Sequence, residues 1–278
     1  MNKFNTLIIG FLVTCLTGFT SVEAARKRKR EIEKNIEIQE NIDTKDLDGF
    51  GYLHHAVANG CCFLVGLLLE ANVFVDIKNF VGQTPLHLAS WLGFNDIVQQ
   101  LLEANASINE KDTIQKSTSL HFAAQNGHYD VVQTLLNNHA LINEKNVNGN
   151  TPLHCAVWHG HDKIVKLLLE NKAFINEKNE QGNTALHLAT TCNHHEITRL
   201  LLVHDAAINE KNVDGDTPLH CAVEFGNQEV VKLLLQKNSI LVNEENNEQK
   251  TPLDYAIQNN HKRIEKILQE NFVKLIFS

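Results

Sequence analysis

From residue 46 onward, apolar and polar positions recur with a period of 33 or 34 residues. Each period holds two short apolar clusters and one polar stretch. The first cluster opens on Thr84-Pro85-Leu86-His87. It returns as Thr118-Ser119-Leu120-His121, Thr151-Pro152-Leu153-His154, Thr184-Ala185-Leu186-His187, Thr217-Pro218-Leu219-His220 and Thr251-Pro252-Leu253-Asp254. A degenerate first copy stands at Gly51-Tyr52-Leu53-His54. All 4 prolines of the chain occupy this one position. Thr before Pro predicts a helix start: the hydroxyl caps free N–H groups, and Pro at the first helical position loses no hydrogen bond. The helix is expected to close near Gly60, Gly93, Gly127, Gly160 and Gly226, with Asn193 and Asn260 in the other two copies, because both residue types tolerate a left-handed backbone. A second helix carries the leucines, as at Leu67 to Leu69, Leu101-Leu102, Leu135-Leu136, Leu167 to Leu169, Leu200 to Leu202 and Leu233 to Leu235. A polar loop then ends in Ile-Asn-Glu-Lys, as at Ile108 to Lys111 and Ile142 to Lys145. One such helix pair cannot bury its apolar face alone, so neighbours must stack into a continuous core.

This fingerprint on a 33-residue period resembles the ankyrin repeat. The resemblance implies an all-α solenoid, with a helix-turn-helix and a β-hairpin loop per repeat. It divides the chain into seven repeats: 46–78, 79–112, 113–145, 146–178, 179–211, 212–245 and 246–278. One departure stands out. Where a Gly usually ends the second helix, this chain has Asn72, Asn105, His139, Lys172, Asp205 and Asn238, with Phe272 in the last copy. Asn reaches the left-handed region at modest cost and Lys less well, so stability below that of an idealised array is expected. Before the array, Ile42-Asp43-Thr44-Lys45 aligns with Ile175-Asn176-Glu177-Lys178. Residues 25–45 therefore read as a basic linker and a partial capping helix. After it, Phe272 to Phe277 is apolar where a terminal cap should be polar. This segment is expected to fold back over the last core, with docking onto a partner as the alternative.

The N-terminus differs in kind. Lys3 precedes an apolar run from Leu7 to Phe19, and Val22 and Ala24 fit the small-residue rule for cleavage after Ala24. Residues 1–24 are expected to be a secretory signal peptide, which would make the protein secreted, with action in a host cell one possibility. The alternative is an uncleaved anchor over residues 7–22, since five positive charges from Arg26 to Arg30 favour keeping the array on the cytoplasmic side. The chain has a net charge of −8. The basic block carries five positive charges and residues 1–25 sum to zero, so the folded body is strongly acidic. No nucleic-acid partner is expected for such a body. In its leader and repeats the chain resembles the secreted ankyrin proteins of host-associated bacteria.

No phosphate-binding Gly-x-x-x-x-Gly-Lys, Gly-x-Ser-x-Gly elbow or His-Glu-x-x-His pair is present. Neither an enzyme activity nor a cofactor is expected. Of the 15 histidines, six (His54, His87, His121, His154, His187, His220) are the fingerprint residue. In the ankyrin family this side chain hydrogen-bonds across the hairpin and helix start. Copies on successive repeats lie about 10 Å apart, whereas zinc needs its nitrogens about 2.0–2.1 Å from one ion. His159, His161, His194 and His195 come nearest to a cluster, and no metal site is expected there. The cysteines form no disulfide framework: Cys155 and Cys221 fall two repeats apart, beyond bridging distance. They suit a reducing compartment, which conflicts with lasting residence outside a cell.

The resemblance implies a partner surface on the concave face, made of hairpin tips and the exposed side of each first helix. Those positions hold the only two tryptophans, Trp91 and Trp158, in the same register two repeats apart. Rings in such a groove are typical interface anchors. The candidate binding strip is therefore Phe50, Phe80, Trp91, Trp158 and Phe225, facing an unidentified protein partner. Oligomeric state is left open. The Glu and Lys columns of the hairpins are expected to cancel and to steer little.

Overall fold

A computed structural model describes the backbone of residues 45–277 and the side chains of residues 45–271. The proposed leader, the basic block and the partial capping helix lie outside the described residues, apart from Lys45. Fourteen helices follow one another in pairs, and no strand occurs among the described residues. In chain order they are α1 (Tyr52–Ala58), α2 (Cys62–Glu70), α3 (Pro85–Leu92), α4 (Asn95–Glu103), α5 (Ser119–Asn126), α6 (Tyr129–Asn137) and α7 (Pro152–Trp158), then α8 (Asp162–Glu170), α9 (Ala185–Thr191), α10 (His195–Val203), α11 (Pro218–Glu224), α12 (Gln228–Leu235), α13 (Pro252–Gln258) and α14 (Lys262–Phe277). The chain divides into two compact units, one ending at Ile114 and one beginning at Gln115. The first holds α1 to α4 and the second α5 to α14. The division falls in the loop of the first 34-residue spacing.

The odd-numbered helices from α3 to α11 start as the sequence predicts, with His as the second half of the cap, and α13 uses Asp254 in its place. In α3, Thr84 lies in extended backbone and its hydroxyl accepts from the His87 N–H at 3.4 Å. His87 Nδ1 accepts in return from the Thr84 N–H at 3.0 Å. Two otherwise orphaned donors are thus satisfied reciprocally. Pro85 occupies the first helical position. The leucine at the next position is fully buried in five copies, Leu86, Leu120, Leu153, Leu186 and Leu219 being 0–1% exposed, and half-buried in the last, at Leu253. Ile97 and Leu101 from α4, Ile164 and Leu168 from α8, and Leu201 from α10 complete the same layer at 0–2%. Full burial of such a side chain contributes about 1.5–3 kcal/mol, and the layers repeat along each unit.

The junction after each odd-numbered helix has a rule of its own. Gly160 closes α7 with φ +77°, and the His194 ring, at the start of α10, lies over it. A Cβ there would meet that ring at 2.8 Å. Gly127 lies beneath His161 and Gly226 beneath His261 in the same way, and within the first unit Gly60 lies beneath Phe94. Asn193 takes the left-handed conformation where the following residue in this register is Asn227, not a ring, and Asn260 takes it as well. So the choice between Gly and Asn at this turn follows from the size of the group that covers it.

Second-helix ends agree with the sequence at five positions and differ at two. Asn72, Asn105, His139, Lys172 and Asp205 all have φ between +56° and +65°. Asn238 does not: α12 ends at Leu235 and leaves through Gln236 in the right-handed region, which absorbs the extra residue of that spacing. Phe272 does not stop a helix either, because α14 runs unbroken to Phe277 over 16 residues. The backbone of the segment expected to fold back continues α14 helically. The β-hairpin of each repeat is reduced to a tight turn. In the fifth pair, Asn179 N–H donates to Asn183 O at 3.0 Å and Gly182 N–H to Asn179 O at 2.9 Å, with no ladder beyond. Among the described residues no helix is long and apolar enough to cross a membrane.

Candidate functional site

In six of the turns an Asn or Asp side chain closes the backbone from inside. Asn179 Oδ1 accepts from the N–H of Gln181 at 3.1 Å and of Asn183 at 2.9 Å. Asp46, Asn79, Asn146, Asn212 and Asn246 do the same in their own turns. Such side-chain-closed turns hold the tip residues in fixed directions. Successive turns within a unit are also joined by backbone bonds: Glu180 N–H to Asn148 O and Val213 N–H to Gln181 O, both 3.0 Å. Gly182 permits this approach, with φ +72° and no Cβ, which would lie 2.7 Å from the Val213 nitrogen.

The fingerprint histidines fasten each helix start to the next turn. Because Nδ1 accepts from a backbone N–H, the proton resides on Nε2, which donates to a backbone carbonyl: for five of them that of the residue just before the next helix start, and for His87 that of Glu110, within its own repeat. The bonds run from His54 to Gln83 O at 2.9 Å, His87 to Glu110 O at 2.9 Å, His121 to Asn150 O at 3.0 Å, and His154 to Asn183 O, His187 to Asp216 O and His220 to Lys250 O at 3.1 Å. Burial pushes His54, His154 and His187 down to about 4, and His220 downward as well. These side chains are neutral structural bolts. Of the loose histidine group, His159 and His161 stack at 6.2 Å. His159 bonds the Cys155 carbonyl, His161 that of Gln125 and His194 that of Trp158. Among the described residues no three His, Cys, Asp or Glu side chains are arranged to hold a metal ion.

The charged columns are stitches between pairs. Lys145 meets Glu177 at 2.7 Å, Lys178 meets Glu210 at 2.8 Å and Lys211 meets Glu244 at 2.8 Å, and in the first unit Lys78 meets Glu110 at 2.5 Å. Lys145 and Lys178 also donate to the carbonyl of the next lysine in the column, at 2.8 and 2.9 Å. The charges are consumed in pairs, so a solvated ladder with little steering is the right description. Each pair is half-exposed and contributes well under about 1 kcal/mol.

The candidate rings divide between the units. In the first, Phe80 and Trp91 are exposed at 71% and 49%. Phe50 is half-buried, edge-on to His54 at 5.2 Å and tilted against His55 at 5.8 Å. Phe80 lies over Gly49, where a Cβ would come within 2.8 Å of its ring. Phe50 and Phe80 thus share in packing the first turns, and Trp91 stands on the helix face. In the second unit Trp158 and Phe225 are exposed at 51% and 57%. Trp158 forms a wall of a groove of about 540 Å³ along α7 and α9. Phe225 is not part of that groove. The groove's main constituent is not a ring: Gln115, Gln125, Asn148, Asn150, Gln181 and Asn183, none of them singled out in the sequence, line it with carboxamides. The available signal was Asn or Gln recurring one and three residues before Thr151 and Thr184.

Beyond α9 the surface becomes acidic. Asp214 and Glu224 are exposed beside Asp216, and the Glu224 carboxyl is pushed upward by burial and by those two carboxylates. Tyr255 nearby is pushed up to about 12 by burial and by Asp216, Glu224 and Glu248.

A family model for ankyrin repeats (3 copies) matches residues 22–112, 111–179, 175–244 and 204–275. Curated relatives match shorter stretches. A probable E3 ubiquitin-protein ligase, XBOS32, of Oryza sativa subsp. japonica is 40% identical over 60 residues, covering 22% of this chain and 12% of that protein. Alpha-latrotoxin-Lg1a of Latrodectus geometricus is 39% identical over 75 residues, 26% of this chain and 5% of the toxin. A putative E3 ubiquitin-protein ligase, XBAT31, of Arabidopsis thaliana is 37% identical over 75 residues, 27% of this chain and 16% of that protein. The chain thus spans a small fraction of the length of each of these relatives, and the likeness is confined to repeat segments. With the helix pairs, the histidine bolts and the family match in agreement, the chain belongs to the ankyrin-repeat family, an all-α fold that serves protein–protein interaction.

Proposed function

We propose that this chain is a non-catalytic scaffold of seven ankyrin repeats that binds a protein partner through its turn tips and first helices. The observation that carries the reading is Trp158, a half-exposed indole held on the wall of a groove whose turns are rigid. An exposed aromatic anchored on a preorganised surface loses little entropy on binding. The matches to ubiquitin ligases and to latrotoxins cover repeat segments only, and they support a binding module without supporting either activity. Replacing Trp91 and Trp158 together by Ala should abolish partner capture while the circular dichroism of the chain is unchanged. Capture that survives in the folded variant would refute the surface assigned.

The leader reading belongs with this proposal. Export through a signal peptide over residues 1–24 accounts for the apolar run and for Ala24 before the basic block. Intact mass of the native protein tests it: a soluble species beginning at Ala25 is expected. A full-length species in the membrane fraction would instead establish the alternative, an adaptor anchored by residues 7–22.

A further inference from the structure

The geometry of the second unit's groove points to its occupant, and we infer that it takes a peptide segment in the polyproline II conformation, uncharged along α7 and α9 and basic where it reaches α11. This rests on the partner-binding reading and specifies the chemistry of the partner.

Asn179 Oδ1 is held by two backbone N–H groups, so its Nδ2 must face elsewhere, and it donates to Asn150 Oδ1 at 2.9 Å. Asn212, fixed by the same turn, donates to Asn183 Oδ1 at 3.1 Å. Asn150 and Asn183 therefore have their oxygens committed, and each is left with an NH₂ donor to offer. The groove thus carries a row of donors in register from pair to pair, and donors call for carbonyl oxygens.

Packed helix layers repeat at about 8–10 Å. A polyproline II chain rises about 3.1 Å per residue with three residues per turn, so carbonyls i and i+3 point the same way about 9.3 Å apart. In a β-strand, residues i and i+3 face opposite sides, and in an α-helix the carbonyls are already bonded. Polyproline II is the regular conformation that presents unbonded carbonyls at the period of the repeat. Trp158 supplies the flat aromatic wall on which a proline or aliphatic side chain packs.

The groove walls carry no carboxylate, lysine or arginine. Just before α11 the equivalent of Asn150 and Asn183 is Asp216, a buried carboxylate whose Oδ1 accepts from Asn246 Nδ2 at 2.8 Å, so the row of outward donors ends there. Asp214 and Glu224 stand beside it, and the nearby lysines are already engaged, Lys211 with Glu244 and Lys250 with Glu248. A carbonyl at Asn150, a second at Asn183 and a cation at the third station describe one chain of fixed register.

The test uses the full chain carrying Trp91→Phe, so that Trp158 is the single tryptophan. It is titrated with capped decaproline, then with decaproline bearing a terminal Arg at either end or a terminal Glu. Decaproline should shift the Trp158 emission and bind saturably. Asn150→Asp with Asn183→Asp keeps the oxygen that each neighbour needs and removes the outward donor, as Asp216 does naturally in this fold. That variant should bind capped decaproline at least tenfold more weakly. One of the two Arg peptides should bind at least fivefold tighter than the Glu peptide, and Asp214→Asn with Glu224→Gln should erase the difference. An unmoved emission spectrum, or equal affinity in the double Asp variant, would overturn the inference. If decaproline does not bind while Trp158→Ala still abolishes capture of the native partner, this inference fails and the proposed function stands. If capture survives Trp158→Ala together with Trp91→Ala, the proposed function itself fails.

Discussion

Acid should loosen this fold well above the pH at which carboxylates titrate. His154 and His187 are 1% and 0% exposed, and each accepts on Nδ1 from a backbone N–H that has no other use. Burial pushes both down to about 4, whereas a histidine in the unfolded chain takes its proton near 6.5. The unfolded state therefore binds more protons between those two values, and stability falls as pH falls. It is complete above about 6.5, declines through the window, and has nothing further to lose from these groups below about 4. Inside the window each histidine contributes a slope of about 1.4 kcal/mol per pH unit, or about 2 kcal/mol between pH 7 and pH 5. The assay is urea denaturation of the full chain by circular dichroism at several pH values from 7.5 to 5. The comparison is His154→Gln with His187→Gln, which removes two titrations. The double variant will start less stable, so the quantity to read is the slope, which should fall by about 2–3 kcal/mol per pH unit. Equal slopes in the two proteins would refute the claim that neutral buried histidines bolt the repeats together.

Three further outcomes are expected. Gly160→Ala should destabilise by about 2–3 kcal/mol, because the new Cβ is both left-handed and within 2.8 Å of the His194 ring; Asn193→Ala, with no ring above it, should cost about 1 kcal/mol, and equal losses in urea melts would dissolve the distinction. Lys172→Gly should stabilise by about 0.5–1 kcal/mol, since Lys172 sits at φ +65°, and a lowered Tm would contradict it. Cys155 and Cys221 are buried and pushed up to about 12, so iodoacetamide at pH 8 should leave both unmodified in the native chain by mass spectrometry and label them in urea.

The repeat architecture was legible because it is periodic. Thr, Pro, Leu and His recur with a fixed offset, and each copy encodes a cap, a first turn, a core contact and a bolt. The left-handed stops at Asn72, Lys172 and Asp205 could be located by register alone. What register could not supply was any effect of one repeat on the next. The hairpin expected from the family is only a turn closed by Asn179 and its counterparts, so no strand forms. Asn238 fails as a helix stop because an inserted residue moves the exit of α12 forward. In the binding face, large rings drew attention while Asn150 and Asn183 did not, because an amide becomes directional only when its neighbour's orientation is known.

The pairing of Gly160 with the ring of His194 also bears on how such a gene can gain and lose units. Excising the segment that encodes α7 and α8 would bring His194 over Gly127, a junction of the same kind. Excising α11 and α12 would bring His261 over Asn193, whereas His261 now lies over Gly226, where a Cβ would meet its ring at 2.9 Å. Recombination between repeats is thus unequal in consequence, and the unit that can be inherited intact is the seam between two helix pairs rather than the pair itself.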